Sequence, residues 1–309
     1  MSSKPEPSLN LLHPLPSGGV MQFSGPDALA FAQAQFANDI TFLADGTWQW
    51  NLWLSPKGRV IALFLALRLD TQNLLLWLPD HPAEELAQRL LRFRFRSKLE
   101  IAALPNAAIL GAFCTPAALG VRAQGQCAGI HFDGKGNWNQ IDLDLSAGTS
   151  RSLRLIREPS SQTSIDPEFT RRWLLDDIAH GLPHLDRGHV EAFTPQMLGL
   201  GRLQAFSVKK GCYPGQEIVA RTHFLGQAKR QRARLQLDPA RKLPVEPQTT
   251  ALGRIEPICS VCTDDRSEAL VVAPLLTIGT QIQLQEAEMT ATVLPLLDGP
   301  GRDRHQAAR

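Results

Sequence analysis

The stretch WQWNLWLSPKGRVIALFLALRLD, residues 48–70, constrains the fold of this chain more than any other. Apolar residues alternate or run together on both sides of the segment Pro56-Lys57-Gly58-Arg59, whose residues favour a turn. This pattern predicts an antiparallel hairpin. The apolar segments NLLLWLP, KLEIAAL, AAILGAFC, NWNQIDLDL and RSLRLIRE predict further strands downstream.

Three segments have the apolar spacing of helices. GPDALAFAQAQ follows a short strand and begins beside Asp27, which we expect to cap the helix. HPAEELAQRLLRFRF has Pro82 near its start and two glutamates in its first turn. FTRRWLLDDIAHGLP ends at Gly181, with Pro183 just beyond it as a stop signal.

The character of the chain changes at about Gln231, where short strands follow one another closely and are separated by turn residues. This pattern predicts a small all-β barrel or sandwich. We therefore predict an α+β protein. Its predicted parts are a flexible leader (1–19), a body (20–230), a C-terminal β-barrel (231–298) and a disordered tail (299–309).

The composition is that of an ordinary globular protein, with 43% hydrophobic and 20% charged residues among 309. The formal net charge of +2 does not by itself demand a nucleic-acid partner. The start of the chain is polar and rich in proline, and the longest apolar run is too short to span a bilayer. We therefore expect a soluble, cytoplasmic protein without a membrane partner, in which all five cysteines are free thiols.

The segment KKGCYPGQEIVAR, residues 209–221, holds the clearest candidate for a reactive group. A cysteine reacts as its thiolate, and the two lysines before Cys212 and Arg221 after it supply charge that would stabilise the anion. The flanking glycines and proline allow a sharp turn that would expose the thiol. Beyond the turn, the amide of Gln216 and the carboxylate of Glu217 are groups that recognise the edge of a heterocycle.

The opposing interpretation is that Cys212 is a small packed residue beside a glycine turn, the commoner fate of a lone cysteine. The residues alone leave both interpretations open. Cys259 and Cys262 form a C-x-x-C in a β-rich segment without a second ligand pair. We interpret them as strand packing and predict no metal site, with metal or redox work as the alternative. Cys114 and Cys127 lie among apolar or small residues and are interpreted as structural.

The stretch KKGCYPGQEIVART closely resembles the K-G-C-[FY]-x-G-Q-E signature of the YgfZ-like folate-binding proteins, relatives of the glycine-cleavage aminomethyltransferase. Three other stretches are similar to motifs of that family and occur in the family's order: SGPDALAFAQAQFANDI, LSPKGRVIA and FTPQMLGLGRLQAFSVKKG. The resemblance covers most of the chain up to about Arg230.

The resemblance implies an aminomethyltransferase-like folate-binding body of two lobes plus the C-terminal barrel, arranged around a central channel. It implies a monomer that binds tetrahydrofolate or a derivative. It further implies a role in iron–sulfur cluster assembly or repair and, through client iron–sulfur enzymes, in tRNA modification, with Cys212 as the active thiol. Seven residues are the expected folate contacts: Lys57, Arg59, Lys210, Tyr213, Gln216, Glu217 and Arg221.

The chain departs from the aminomethyltransferase pattern at the hairpin. Those enzymes carry acidic residues there, in a G-G-x-x-D-D pattern, whereas this chain has Ala62 and Leu63 at the corresponding places. Neither side chain can handle a proton, so we predict a folate-binding scaffold without the transferase step. The alternative is a folate-dependent aminomethyl or one-carbon transferase that uses another carboxylate, Asp39 or Glu217.

A second departure is Asp177, which stands where the family often has a basic residue. Two arginine-rich stretches complete the candidates. LLRFRFRSK interleaves three arginines with two phenylalanines, and RTHFLGQAKRQRAR follows the signature. The first is interpreted as a solvated basic face, with a contact for RNA or a polyglutamate tail as the alternative. Direct tRNA contact therefore stays open at this point.

Overall fold

The computed structural model describes residues 11–160, 164–226, 229–239 and 241–299 of the chain. Parts of the predicted leader, of the polar connector before the third helix and of the predicted tail lie outside the described residues. In chain order the elements are β1 (His13–Pro14), β2 (Gly19–Ser24), α1 (Ala28–Gln35), β3 (Trp48–Leu54), β4 (Val60–Arg68), β5 (Asn73–Leu78), α2 (Ala83–Leu91), β6 (Glu100–Ala103), β7 (Ala108–Ala112), β8 (Gly129–Phe132), β9 (Trp138–Asp144), β10 (Ser152–Ile156), α3 (Pro167–His180), α4 (Gln216–Leu225), β11 (Arg230–Asp238), β12 (Gln248–Thr250), β13 (Gly253–Cys262), β14 (Ser267–Pro274), β15 (Gln281–Leu284) and β16 (Met289–Leu294).

The predicted hairpin is confirmed as β3 and β4, which lie in a five-stranded antiparallel sheet of order β3-β4-β5-β2-β6. Strand β4 is apolar along its length because both faces of this sheet are buried. Ile61 and Phe64 pack in one apolar cluster with α1 and α2, whereas Leu65 and Leu67 face the rest of the body. Burial on both faces explains why the strand has no simple apolar–polar alternation.

A second five-stranded antiparallel sheet has the order β1-β7-β10-β9-β8. Its apolar face packs, together with α3, against the inner face of the first sheet, where Trp50, Trp77 and Trp138 belong to one buried cluster. Strand β1 pairs with β7 through His13 opposite Gly111. Residues 13 and 14 of the predicted flexible leader therefore form an edge strand of this sheet.

The six remaining strands form one sheet of order β12-β13-β14-β11-β16-β15. The backbone N–H of Gln285 donates to the carbonyl of Thr249 at 3.1 Å, which links the two ends of the sheet. This nearly closed C-terminal barrel confirms the predicted change of architecture. Its interior is a separate apolar cluster that includes Leu235, Val271 and Ile282.

The third predicted helix is confirmed as α3, with both ends explained by its sequence. The carboxylate of Asp166 accepts the backbone N–H groups of Glu168 and Phe169, and Gly181 ends the helix with a φ of +72°. Asp27, in contrast, makes no side-chain cap on α1, because its carboxylate accepts the backbone N–H of Lys98 at 2.6 Å. Helix α4 was not predicted. No helix in the described ranges is long and apolar enough to cross a membrane.

Candidate functional site

Ser207 fixes the loop that leads to Cys212. Its backbone N–H donates to the carbonyl of Ala37 at 2.9 Å, and its hydroxyl oxygen accepts the backbone N–H groups of Lys209 and Lys210, both at 3.2 Å. The Tyr213 hydroxyl donates to the Ser207 carbonyl at 3.1 Å. One residue therefore ties both sides of the cysteine to the loop that follows α1.

Lys210 anchors the same loop from inside. Its buried ammonium donates to the carbonyls of Gln33 at 2.6 Å, Phe36 at 2.5 Å and Asn38 at 3.2 Å. These bonds use all three hydrogens, so none is left for a ligand. Burial lowers the pKa of Lys210 to about 8, and the nearby carboxylate of Asp39 opposes that shift. Lys210 thus holds the loop, whereas the sequence suggested a folate contact.

Tyr213 and Gln216 are also engaged within the loop. Burial raises the pKa of Tyr213 to about 12, and its ring lies 5.2 Å from the ammonium of Lys210. The Gln216 amide donates to the Lys210 carbonyl at 2.9 Å. Both side chains therefore stabilise the conformation of the loop, and the amide nitrogen of Gln216 already donates within it.

Cys212 is exposed at the centre of this tied loop. The first turn of α4 follows, and it carries Glu217 and, one turn later, Arg221, both exposed. Residues four apart lie on one side of a helix. The loop and the helix thus present a thiol, a carboxylate and a guanidinium to solvent.

The structure brings the β3–β4 turn against the start of α4. A methyl group on Gly215 would lie 2.6 Å from the Cα of Gly58 and 2.5 Å from the carbonyl of Ser55, and both glycines have positive φ. Lys57 is exposed on this turn. Arg59 is half-buried and donates to the Ala192 carbonyl at 2.5 Å. The β3–β4 turn and the Cys212 segment, which lie far apart in sequence, thus come into contact at Gly58 and Gly215.

No carboxylate stands at the hairpin position used by aminomethyltransferases. Ala62 and Leu63 are buried in the two apolar clusters on opposite faces of β4. Asp39, one of the two alternative carboxylates, is half-buried and accepts the backbone N–H of Thr41 at 2.9 Å and its hydroxyl at 2.5 Å, whereas Glu217, the other, is exposed. One of the two oxygens of Asp39, Oδ1, thus already holds a local turn.

A buried charged network was missed by the sequence argument. Asp177 accepts from the guanidinium of Arg151 at 2.8 Å and lies 3.1 Å from Nε2 of His184, whose Nδ1 lies 2.7 Å from Asp80. Burial favours neutral His184, but the two carboxylates outweigh it and hold its pKa well above the ordinary value. The signal was the pair Asp176 and Asp177 in an apolar helix, since buried carboxylates need partners.

The other cysteines differ from Cys212 in their surroundings. Cys259 is half-buried in β13 and lines a cavity of about 480 Å³ beside His184, and burial raises its pKa. Cys114 is buried. Cys127, which the sequence argument interpreted as structural, is exposed, because it lies in a tight turn with Gln124. Among the described residues, no group of three or more His, Cys, Asp or Glu side chains could hold a metal ion.

A solved structure with the same architecture defines the class of fold. The glycine cleavage system aminomethyltransferase T from Bartonella henselae superposes with a TM-score of 0.66 at 14% identity, over 92% of this chain and 86% of that one. The chain therefore has an aminomethyltransferase-like fold.

Sequence relatives narrow the class. The tRNA-modifying protein YgfZ of Klebsiella pneumoniae is 27% identical over 222 residues, 67% of this chain and 65% of that protein. The YgfZ protein of Serratia proteamaculans is 28% identical over 239 residues, 68% of this chain and 66% of that protein. The match thus spans about two thirds of these relatives' length. No protein-family model matches the chain. The chain is thus similar in sequence to the YgfZ proteins and similar in fold to the aminomethyltransferase.

Proposed function

We propose that this chain is a tetrahydrofolate-binding protein of the cytoplasm that supports iron–sulfur cluster assembly or repair, with Cys212 as its active thiol. In this proposal it acts as a monomer, its clients are iron–sulfur enzymes, and its effect on tRNA modification passes through them. The observation that carries the proposal is the exposed Cys212, on a loop that hydrogen bonds hold at both sides of the cysteine. The fold around it is like that of the glycine cleavage system aminomethyltransferase T.

The expected folate contacts divide into two groups. Lys210, Tyr213 and Gln216 are engaged in holding the loop. Lys57 and Arg221 are exposed on the two segments that meet at Gly58 and Gly215, and a carboxylate-bearing tail is the kind of group that such cations bind.

The remaining contacts play smaller parts in the proposal. Arg59 is half-buried and already donates to a backbone carbonyl, whereas the exposed carboxylate of Glu217 can accept from a ring N–H. The transferase alternative has less support, because Ala62 and Leu63 replace the hairpin carboxylates and Oδ1 of Asp39 already accepts two local hydrogen bonds. It would depend on the exposed Glu217.

Isothermal titration with tetrahydrofolate at low ionic strength tests the folate part. We expect measurable heat with the unchanged protein and a loss of affinity of about tenfold in the double variant Lys57→Ala, Arg221→Ala. Arg254→Ala, an exposed arginine of the barrel, is the matched control. An absence of heat at high micromolar folate contradicts the proposal. Release of ammonia from an aminomethyl donor would instead support the transferase.

A further inference from the structure

A small cavity of about 220 Å³ opens on the outer side of the first sheet, beside the candidate site. It lies between the β3–β4 turn and the end of α2, and Pro214, two residues after Cys212, forms part of its wall. Cavities that hold drug-sized ligands measure about 300–1,000 Å³, so this one suits a single ring system.

The walls of the cavity are aromatic. Trp53 forms the floor and is 3% exposed, and the Phe93 ring meets it edge to face at 6.0 Å. The guanidinium of Arg89 lies 5.1 Å from the centre of the Trp53 ring. Phe93 itself is 43% exposed. A planar ring that enters the cavity can therefore stack on the free face of Phe93, as bases stack on aromatic side chains.

The rim of the cavity is basic and continues along one loop. Arg92, Arg94 and Arg96 are all exposed, and none of them forms an ion pair with a described residue. Phe95 lies between the last two arginines, is 86% exposed and has a φ of +43°. A bulky side chain rarely adopts this backbone conformation, and such strain is typical of binding sites. Alternating guanidinium and aromatic groups suit a strand of phosphates and bases.

Glu191 adds a carboxylate to the same cavity. Its φ is +61°, and this strained backbone is held by a hydrogen bond from its N–H to the Val60 carbonyl at 2.8 Å. The carboxylate pairs with Arg89 at 3.3 Å and lines the cavity. The oxygens of this carboxylate can also accept a hydrogen bond from the exocyclic amine of a base.

We propose that this cavity binds one unpaired base of a single-stranded RNA, while the arginines of residues 92–96 hold the neighbouring phosphates. The base stacks on Phe93, and Glu191 favours a base with an exocyclic amine, such as cytosine, over uracil. This site goes beyond the function proposed above, in which tRNA is reached only through client enzymes. In this proposal the arginine–phenylalanine stretch LLRFRFRSK contacts RNA, as in the first alternative given for it above.

The test is fluorescence anisotropy of the full chain with labelled eight-nucleotide cytidine and uridine RNAs. We expect both to bind, cytidine RNA a few-fold more tightly, and Phe93→Ala to weaken binding by about tenfold. Arg92→Ala and Arg96→Ala should each lower the slope of log affinity against log salt by about 0.7. Phe132→Ala, an exposed phenylalanine of the second sheet, and Arg254→Ala are the controls and should bind as the unchanged protein does.

Three further results decide between occupants. Glu191→Gln should abolish the preference for cytidine, because an amide can also donate to a uracil carbonyl. In isothermal titration, Phe93→Ala should bind tetrahydrofolate with the same heat as the unchanged protein. Loss of that heat would indicate that the cavity binds folate and would overturn the proposal. Displacement of RNA by hexaglutamate at equal concentration, or unchanged RNA binding in both Phe93→Ala and Arg92→Ala, would also overturn it. Arg92 is a surface side chain, so its variant stays informative if Phe93→Ala melts early.

Discussion

Cys212 and Cys259 lie in two regions that differ in how far they expose a thiol to solvent. Cys212 is exposed on a loop whose flanking residues are tied by Ser207 and Lys210. Cys259 is half-buried in β13, where it lies opposite Leu270 of β14 directly after a shift in the strand register, and burial raises its pKa. A thiol held as the neutral form is a poor nucleophile. This difference in exposure is the reason why the proposed function assigns the reactive thiol to the loop and not to the barrel strand.

Exposure alone does not make the distinction, because Cys127 is also exposed. Cys127 closes a tight turn with Gln124 and forms an isolated bridge with Thr47, the residue before β3 of the first sheet. The loop of Cys212 meets the β3–β4 turn and begins a helix, so other functional groups reach the same surface. Cys127 is therefore a natural control for every experiment on Cys212.

The largest expected effect comes from removing the loop's internal anchor. Lys210→Met leaves three backbone carbonyls without their donor, and we expect it to lower the free energy of unfolding by about 3 kcal/mol. Lys209→Met, an exposed neighbour, should change it by less than about 0.5 kcal/mol. Urea unfolding measures both. Equal, small effects would mean that Lys210 does not hold the loop.

A smaller loss is expected where the loop meets the hairpin. Gly215→Ala puts a methyl group 2.5 Å from the Ser55 carbonyl in a residue with positive φ, so we expect a loss of about 2 kcal/mol. Gly211→Ala meets no atom within 4 Å and should be nearly neutral. Thermal melts compare the two variants. If Gly215→Ala is as stable as Gly211→Ala, the close approach is not required.

The charged network beside Cys259 should make the stability of the fold depend on pH through His184. Because the folded-state pKa of His184 is raised, its protonated form stabilises the fold fully below pH 6.5, and this contribution is lost as the pH rises through the folded pKa. His184→Gln should cost about 1.5 kcal/mol at pH 6 and less at pH 9. The exposed His131→Gln is the control. If the stability lost in His184→Gln grows with pH, the protonated form of His184 does not stabilise the fold.

The hairpin, the helix α3 and the barrel could be predicted from sequence because each has a strong local signal. The apolar runs predicted β3 and β4, and Gly181 with the proline beyond it predicted the end of α3. Helix α4 was missed because Pro214 and Gly215 favour a turn, and only the contact with Gly58 shows why a helix starts there. Tertiary contacts of this kind leave no local pattern.

The candidate site could be predicted in part. The motif drew attention to Cys212, and the glycines around it explained its exposure. The charge beside it was misjudged, because nearness in sequence does not say which way Lys210 points, and its ammonium turns inward to the carbonyls after α1. Asp177 pairs with Arg151, directly before β10, and with His184, which in turn pairs with Asp80 from a distant part of the chain, so the sequence spacing does not reveal the whole network.

Complementation of an iron–sulfur maintenance defect, paired with thermal melts, tests the central claim that Cys212 is a working thiol. Cys212→Ala should fail to complement while its melting temperature stays within about 2 °C of the unchanged protein, since an exposed side chain is shortened. Cys127→Ala, Cys259→Ala and Cys262→Ala should complement. If Cys212→Ala complements fully, or fails only because the protein melts, the thiol is structural and the account of the site is wrong.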